Sequence, residues 1–240
     1  MTFRKAQRTN VKLRLAITGP AGSGKTYSAL LLSFGLGGKI AMIDTENGSG
    51  DLYSNIGDYD ICNLNPPFDP RRYIQAIHEA EKEGYSTIII DSLSHAWSGQ
   101  GGLLDFQAKL AESKYRGNSY AAWREITPLH NALIETILAS PCHIIATMRS
   151  KTEYIQAENE RGRTEIRKVG LAPVQREGMD YEFAIVFDLP NNHLANVSKD
   201  RTGLFDGQIF TISQETGKTL AGWLNSPNGS DNEIKKDSVA

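Results

Sequence analysis

A glycine-rich segment near the start of the chain has the residue types and the spacing that bind phosphate. Residues 19–26 read GPAGSGKT, which fits the phosphate-binding pattern GxxxxGK[ST]. The glycines of this pattern let consecutive backbone N–H groups and the next helix point at an anion. The lysine supplies a charge for the β- and γ-phosphates, and the hydroxyl binds Mg²⁺. We therefore expect ATP and Mg²⁺ to bind at Gly19, Pro20, Ala21, Gly22, Ser23, Gly24, Lys25, Thr26 and Tyr27.

The flanking residues predict the strand–loop–helix context that this pattern requires. Residues 13–17 form a short apolar run typical of a strand, and a helical pattern over 26–34 follows the loop directly. A glycine-rich turn with an incidental lysine is the alternative interpretation.

Two acidic residues come after apolar segments that predict further strands. Glu46 follows the segment 39–43, and Asp91 ends the segment 87–91. Ligands of open parallel sheets bind at the carboxyl ends of the strands. Asp91 has the form of the second carboxylate that anchors Mg²⁺, and Glu46 could deprotonate a water aimed at the γ-phosphate. Alternatively, Glu46 is a strand-end acid that caps the next turn.

Three more residues are candidate contacts of a nucleotide. Tyr53 follows a glycine-rich loop and could stack on adenine, or it could belong to the core. Thr147 and Arg149 end a strand predicted over 142–148, where they could sense the γ-phosphate. A plain transition from strand to loop is the alternative for that pair.

Residues 151–168 form the most charged loop of the chain and mix both signs. Such a loop is usually a solvated hairpin. A nucleic-acid interpretation would place its cations on phosphates and use Tyr154 for stacking. The candidate DNA-binding cations are Lys151, Arg161, Arg163, Arg167 and Lys168.

Composition limits the class of protein. At 240 residues the chain can form one α/β domain, expected over 13–225, after a basic arm (1–12) and before a polar, disordered tail (226–240). The net charge of −2 gives no overall attraction to nucleic acid. The two cysteines have no CxxC spacing, and no apolar run is long enough to span a bilayer. We therefore expect a cytoplasmic protein with no membrane partner.

Two regions carry proline breakers. Residues 54–69 are predicted as loop because of the prolines at 66 and 67. A helical stripe covers 119–139, and Pro128 is expected to kink that helix or to divide it.

Taken together, the motifs resemble the RecA-like division of P-loop ATPases. The resemblance rests on GPAGSGKT at 19–26, IDTE at 43–46, IIIDS at 88–92 and HIIATMR at 143–149. It implies a mainly parallel central sheet flanked by helices, with C-terminal strands that extend the sheet. It also implies that Glu46 is the water-activating base, that Tyr53 contacts adenine, and that the loop beginning near Ser150 binds DNA.

A second resemblance concerns assembly. KDRTG at 199–203 looks like the finger segment of RecA-fold hexameric helicases, which implies that Lys199 and Arg201 complete a neighbouring subunit's site. Over nearly its full length the chain is similar to phage-encoded RecA-like ATPases of recombination and replication modules. It departs from RecA at the sensor glutamine, where Thr147, Met148 and Arg149 stand instead. This resemblance implies a DNA-dependent ATPase that binds single-stranded DNA as a ring or filament.

Two other functions are compatible with the same motifs. One is a hexameric helicase or a helicase-loading motor. The other is a nucleotide-gated adaptor that binds a single-strand-binding protein without contacting DNA.

Overall fold

The structure, a computed structural model, describes Phe3, residues 11–158 and residues 164–226. Most of the predicted basic arm and nearly all of the predicted tail lie outside the described residues, as do Arg161 and Arg163.

Strands and helices largely alternate in the first part of the described chain, after which three helices, five strands and one helix follow in turn. The strands are β1 (Arg14–Gly19), β2 (Ile40–Asp44), β3 (Asp60–Asn63), β4 (Thr87–Asp91), β5 (His143–Glu158), β6 (Thr164–Pro173), β7 (Ile185–Asp188), β8 (Ala195–Asp200) and β9 (Ile209–Phe210). The helices are α1 (Lys25–Leu36), α2 (Pro70–Lys82), α3 (Ser94–Ser98), α4 (Leu103–Tyr115), α5 (Ser119–Ala139) and α6 (Gln214–Asn225).

The strands of the described residues join in one nine-stranded sheet. Its order is β3-β2-β4-β5-β1-β7-β8-β9, and β6 pairs with β5 outside this path. The strands from β3 to β7 in this order run parallel, whereas β8 and β9 add antiparallel neighbours. The predicted α/β fold, a mainly parallel sheet with C-terminal strands that extend it, is confirmed.

Helices cover both faces of this sheet. Every residue of β1, β2 and β4 is buried, as expected for strands that lie between two helical layers. On one face α2 and α5 contribute Tyr73 and Leu133 to the core, and on the other α1 and α6 contribute Leu30 and Leu220. The two layers hold the sheet and thereby fix the loops at its edges.

The two predictions made from proline breakers need correction. Residues 54–69 are not all loop, because β3 pairs in parallel with β2 at the edge of the sheet. Its four residues are mostly exposed and lack the apolar alternation that marks a strand. The division of α5 at Pro128 is also wrong, because the helix continues through it. Proline removes a backbone hydrogen bond there, while buried side chains on both sides, such as Ile126 and Leu133, keep the helix packed.

The charged loop is a long β-hairpin in its described part. β5 extends well beyond the predicted end at residue 148, and its second half pairs with β6 from Ser150↔Pro173 to Glu158↔Thr164. The first half of β5 lies inside the main sheet between β1 and β4. The hairpin is therefore a direct continuation of a central strand.

Helices α1 and α6 meet through glycines. A Cβ on Gly35 would lie 2.6 Å from the Cα of Gly217, and a Cβ on Gly217 would lie 2.3 Å from the carbonyl oxygen of Leu32. No side chain fits between the two backbones at this point, so α6 lies directly on the helix that follows the phosphate-binding loop.

No helix among residues 11–158 and 164–226 is both long enough and apolar enough to cross a bilayer.

We expect Gly217→Ala to lower the free energy of unfolding by about 1–3 kcal/mol, because its methyl group would overlap backbone atoms of α1. Gly222→Ala is the matched control, since no atom lies within 4 Å of a Cβ at that position of the same helix. Alanine there should be neutral or stabilise by up to about 1 kcal/mol. Urea denaturation followed by circular dichroism measures both changes, and equal stability of the two variants would contradict this packing.

Candidate active site

The carboxyl ends of the parallel strands bring the predicted site residues to one edge of the sheet. β1 ends at Gly19, which is level with Arg149 of β5, and Asp44 at the end of β2 is level with Asp91 at the end of β4. Glu46 follows β2 by two residues. The phosphate-binding loop, both acids and the predicted sensor residues therefore lie on the same edge.

The loop between β1 and α1 has the backbone that its glycines predict. Gly22 and Gly24 have φ angles of 76° and 89°, a region that residues with a side chain rarely adopt. Gly19 is required for a different reason, since a Cβ there would lie 2.3 Å from the carbonyl oxygen of Leu189. The loop is thus shaped by its own conformation and by the segment after β7.

Lys25 extends back over the loop. Its Nζ donates a hydrogen bond of 2.7 Å to the carbonyl oxygen of Pro20. Burial lowers the pKa of Lys25, whereas the charges of Asp91 and Glu46 raise it and partly offset the burial. Both predicted acids are thus close enough to act electrostatically on the lysine.

Asp91 is the buried centre of the site. Thr26 Oγ1 donates to its Oδ2 at 2.6 Å, and Thr147 Oγ1 donates to its Oδ1. Burial raises the pKa of Asp91, although the two hydroxyl groups act in the opposite direction. The carboxyl group of Asp91 in β4 thus links the start of α1, through Thr26, to β5, through Thr147.

Thr26 and Asp91 have the oxygen donors that Mg²⁺ prefers. Mg²⁺ is commonly bound by one or two protein oxygens together with substrate phosphates and water. No group of three or more His, Cys, Asp and Glu side chains in the described part of the chain could hold a metal ion. The chemistry of this pair therefore fits an ion that arrives with a nucleotide.

Glu46 is held by Arg149, which lies where β5 leaves the main sheet. Arg149 Nε donates to Oε1 at 3.0 Å, and its Nη2 donates to Oε2. Ser92 Oγ donates to Oε1 at 3.1 Å, and His95 Nε2 lies 4.0 Å from the same oxygen. Burial raises the pKa of Glu46, but Arg149, His95 and Ser92 outweigh it and leave the pKa below its usual value.

The two tyrosines predicted to contact the nucleotide lie next to each other. The ring centroids of Tyr27 and Tyr53 are 5.9 Å apart with an interplanar angle of 52°. Tyr27 is 42% exposed, whereas Tyr53 packs against the core on the α1 face. Tyr53 thus packs against the core, and its contact with adenine stays a prediction.

Two histidines contact the site without a signal in the sequence. His193 Nδ1 lies 2.9 Å from the carbonyl oxygen of Ser23 in the loop. His95 Nδ1 lies 2.7 Å from Thr45 Oγ1, beside Glu46. No motif includes either histidine. His95 follows Asp91 closely in sequence, whereas the pairing of β7 with β1 brings the segment of His193 to this edge.

Lys199 and Arg201 lie away from the loop of their own chain. Lys199 pairs with Val186 across β8 and β7, and Asp200 pairs with Ile185, which is level with Leu15 near the start of β1. Lys199 Nζ donates to the carbonyl oxygens of Asp180 and Tyr181, and Arg201 also donates to that of Tyr181. The structure does not bring these two cations to the site of the same subunit.

The predicted DNA-binding cations lie on or next to the hairpin. Lys151 is exposed at its base, close to the residues of the active-site edge. Arg167 and Lys168 are in β6, opposite Ile155 and Tyr154 of β5. Their DNA contacts stay a prediction.

We expect Arg149→Gln to raise the pKa of Glu46, because burial would then act without an adjacent guanidinium. Titration of the nucleotide-free protein by ¹³C NMR of the glutamate carboxyl carbons measures this change. Arg71→Gln is the control, since Arg71 pairs with Asp69 instead. An unchanged Glu46 titration in Arg149→Gln would show that the arginine does not hold this carboxylate in solution.

Comparison with known proteins agrees with this geometry. A family model described as AAA domain matches residues 11–221, which include the loop, Glu46, Asp91 and Arg149. No curated protein matches the chain significantly. The matched range spans the sheet from β1 into α6, so the match covers the complete arrangement and not the loop alone. The chain belongs to the AAA domain family of P-loop ATPases.

Proposed function

We propose that this protein is a Mg²⁺-dependent ATPase that binds single-stranded DNA and works as an oligomer in phage DNA recombination or replication. The proposal rests on one observation above all: Lys25, Thr26, Asp91 and Glu46 meet at a single sheet edge. The AAA domain match supports the ATPase part. The DNA, oligomer and phage parts rest on the resemblance to RecA-like ATPases.

The phosphate-binding loop would hold the triphosphate through its backbone. The N–H groups at the start of α1 would donate to the phosphates, and Lys25 would add a positive charge. A γ-phosphate would replace the contact that Lys25 now makes with Pro20. Thr26 and Asp91 would hold Mg²⁺, which neutralises charge on the phosphates when it is bound.

Glu46 would accept a proton from the attacking water. A general base must be ionised; although burial raises the pKa of Glu46, its carboxyl group is held in the ionised form by Arg149, His95 and Ser92 before a nucleotide binds. In the structure Arg149 occupies both carboxylate oxygens. A γ-phosphate offers the guanidinium a competing anion, so Arg149 would turn towards it and leave Glu46 free to orient water. Arg149 would then act as the predicted sensor.

Hydrolysis would depend on a second subunit. Lys199 and Arg201 cannot complete the site of their own chain from the positions described above. In a ring or filament they would reach the nucleotide of a neighbour, where an arginine contributes about 10³- to 10⁵-fold to the rate in comparable enzymes. This arrangement would make the rate depend on assembly.

We expect Lys25→Ala to abolish ATP hydrolysis and Glu46→Gln to lower kcat by about 10²- to 10⁴-fold with ATP still bound. Phosphate release and binding of a fluorescent ATP analogue measure the two effects. Glu215→Gln on the exposed face of α6 is the control for loss of a carboxylate and should keep full activity. A Glu46→Gln enzyme with unchanged kcat would contradict the assigned base.

We expect subunits carrying Arg201→Ala to regain activity when mixed with subunits carrying Glu46→Gln. In a mixed assembly, an intact Glu46 meets an intact finger from its neighbour at some interfaces. Activity is measured across mixing ratios at constant total protein. If no ratio exceeded the activity of either variant alone, the fingers would not act in trans, although the ATPase assignment would be unaffected.

A further inference from the structure

The short helix α3 lies between the catalytic carboxylate and an aromatic surface. His95 of this helix contacts Thr45 and approaches Glu46. Two residues later, the ring of Trp97 stacks on Trp123 of α5, with centroids 5.6 Å apart and an interplanar angle of 22°. Two large aromatic rings in parallel contact thus lie next to the active site, and both are only partly buried.

This surface is open to solvent and carries two arginines. Tyr120, one helical turn before Trp123, is 85% exposed. The guanidinium of Arg176 lies 6.0 Å from the centre of the Trp123 ring. The surface includes an open depression of 680 Å³, whose lining residues are Tyr120, Trp123, Arg124, Thr127 and Pro128. We call Tyr120, Trp123, Arg124 and Arg176 the stacking surface.

The lining of the depression favours a polyanion. The lining of the depression contains an arginine and no carboxylate. Glu125 is the acid adjacent in sequence to Arg124, and its carboxylate already accepts hydrogen bonds from Lys114 and Tyr115. Arg176, in contrast, also lines the adjoining cavity together with Glu135, Glu177 and Glu182, so the cationic side of the stacking surface is that of Arg124.

We propose that the stacking surface binds the bases of single-stranded DNA. Exposed aromatic rings with neighbouring arginines bind single strands by stacking on bases and by contacts with phosphates. This inference rests on the proposed function and adds to it a base-binding surface on α5, separate from the cations of the hairpin.

The position of α3 would couple this surface to hydrolysis. Leu93 and Ser94, where α3 begins, accept hydrogen bonds from Gln175 Nε2 at 3.2 Å and from the Arg149 N–H at 2.9 Å. Gln175 precedes Arg176 of the stacking surface, and Arg149 holds Glu46. A base that stacks beside Trp123 would press on Trp97, which is in contact with Trp123. Because Trp97 and His95 belong to α3, the base would thereby act on the helix that carries His95.

Binding of labelled oligothymidylate tests the surface. Fluorescence anisotropy with the full chain and an ATP analogue should give a Kd about five- to 100-fold higher for Tyr120→Ala and for Trp123→Ala than for the wild type. Trp123→Phe keeps a ring and should stay close to the wild type. Lys218→Ala, which removes an exposed cation on α6, controls for a general loss of charge. Tyr120→Ala removes an exposed side chain, so it remains informative if Trp123→Ala fails to fold.

The coupling has its own measurement. Trp97→Ala should lower the ratio of the DNA-stimulated rate to the rate without DNA at saturating oligothymidylate. An unchanged ratio would overturn the coupling through α3.

The outcomes separate this inference from the proposed function. If the wild-type protein hydrolyses ATP but binds no oligothymidylate at low salt, both this inference and the DNA part of the proposed function are wrong. If the wild type binds and both alanine variants bind equally well, this inference alone is overturned and the DNA contacts belong elsewhere. If those variants lose only the binding of a protein partner, the surface is a protein interface and the inference is also overturned.

Discussion

The site depends on one buried carboxyl group that three parts of the chain share. Asp91 ends β4 and accepts hydrogen bonds from Thr26 at the start of α1 and from Thr147 in β5. A buried acid without partners would be costly, so the two hydroxyl groups both stabilise it and fix its orientation. Movement of any of these elements would remove a partner from Asp91. The relative positions of the loop, β4 and β5 are therefore set together.

The arrangement of the sheet gives this constraint its functional meaning. β5 lies between the loop strand β1 and the Asp91 strand β4. Where β5 leaves the main sheet, Thr147 contacts Asp91 and Arg149 contacts Glu46. The same strand then continues into the hairpin. The strand that contacts both acids is thus the same strand that forms one side of the hairpin.

Much of the site could be predicted from the sequence because its main residues belong to local patterns. The loop at 19–26 carries its glycines, lysine and threonine within one motif, and Glu46 and Asp91 each follow an apolar strand. The parallel fold then brings strand ends together by a general rule. The finer contacts could not be predicted, since the ion pair of Arg149 with Glu46 joins residues far apart in the chain.

The errors in the fold have similar physical causes. β3 has little apolar character because it lies at the edge of the sheet. It is a strand because its backbone pairs with that of β2, and its own sequence does not show this. The helix through Pro128 persists because the packing of its buried side chains outweighs a local preference. In both cases tertiary contacts decide what the local sequence leaves open. The contacts of His95 with Thr45 and of His193 with Ser23 also join residues that are distant in sequence.

The central place of β1 in the sheet also affects how the protein is made. β1 precedes both of its neighbours in the sheet, β5 and β7, along the chain. The nascent chain therefore carries the nucleotide-binding motif without a partner strand until β5 has been synthesised. Pairing between segments so distant in sequence is slow and exposes apolar surface in the meantime. The nucleotide-binding motif, although it is translated before both partner strands, would then be among the last parts to acquire its working shape.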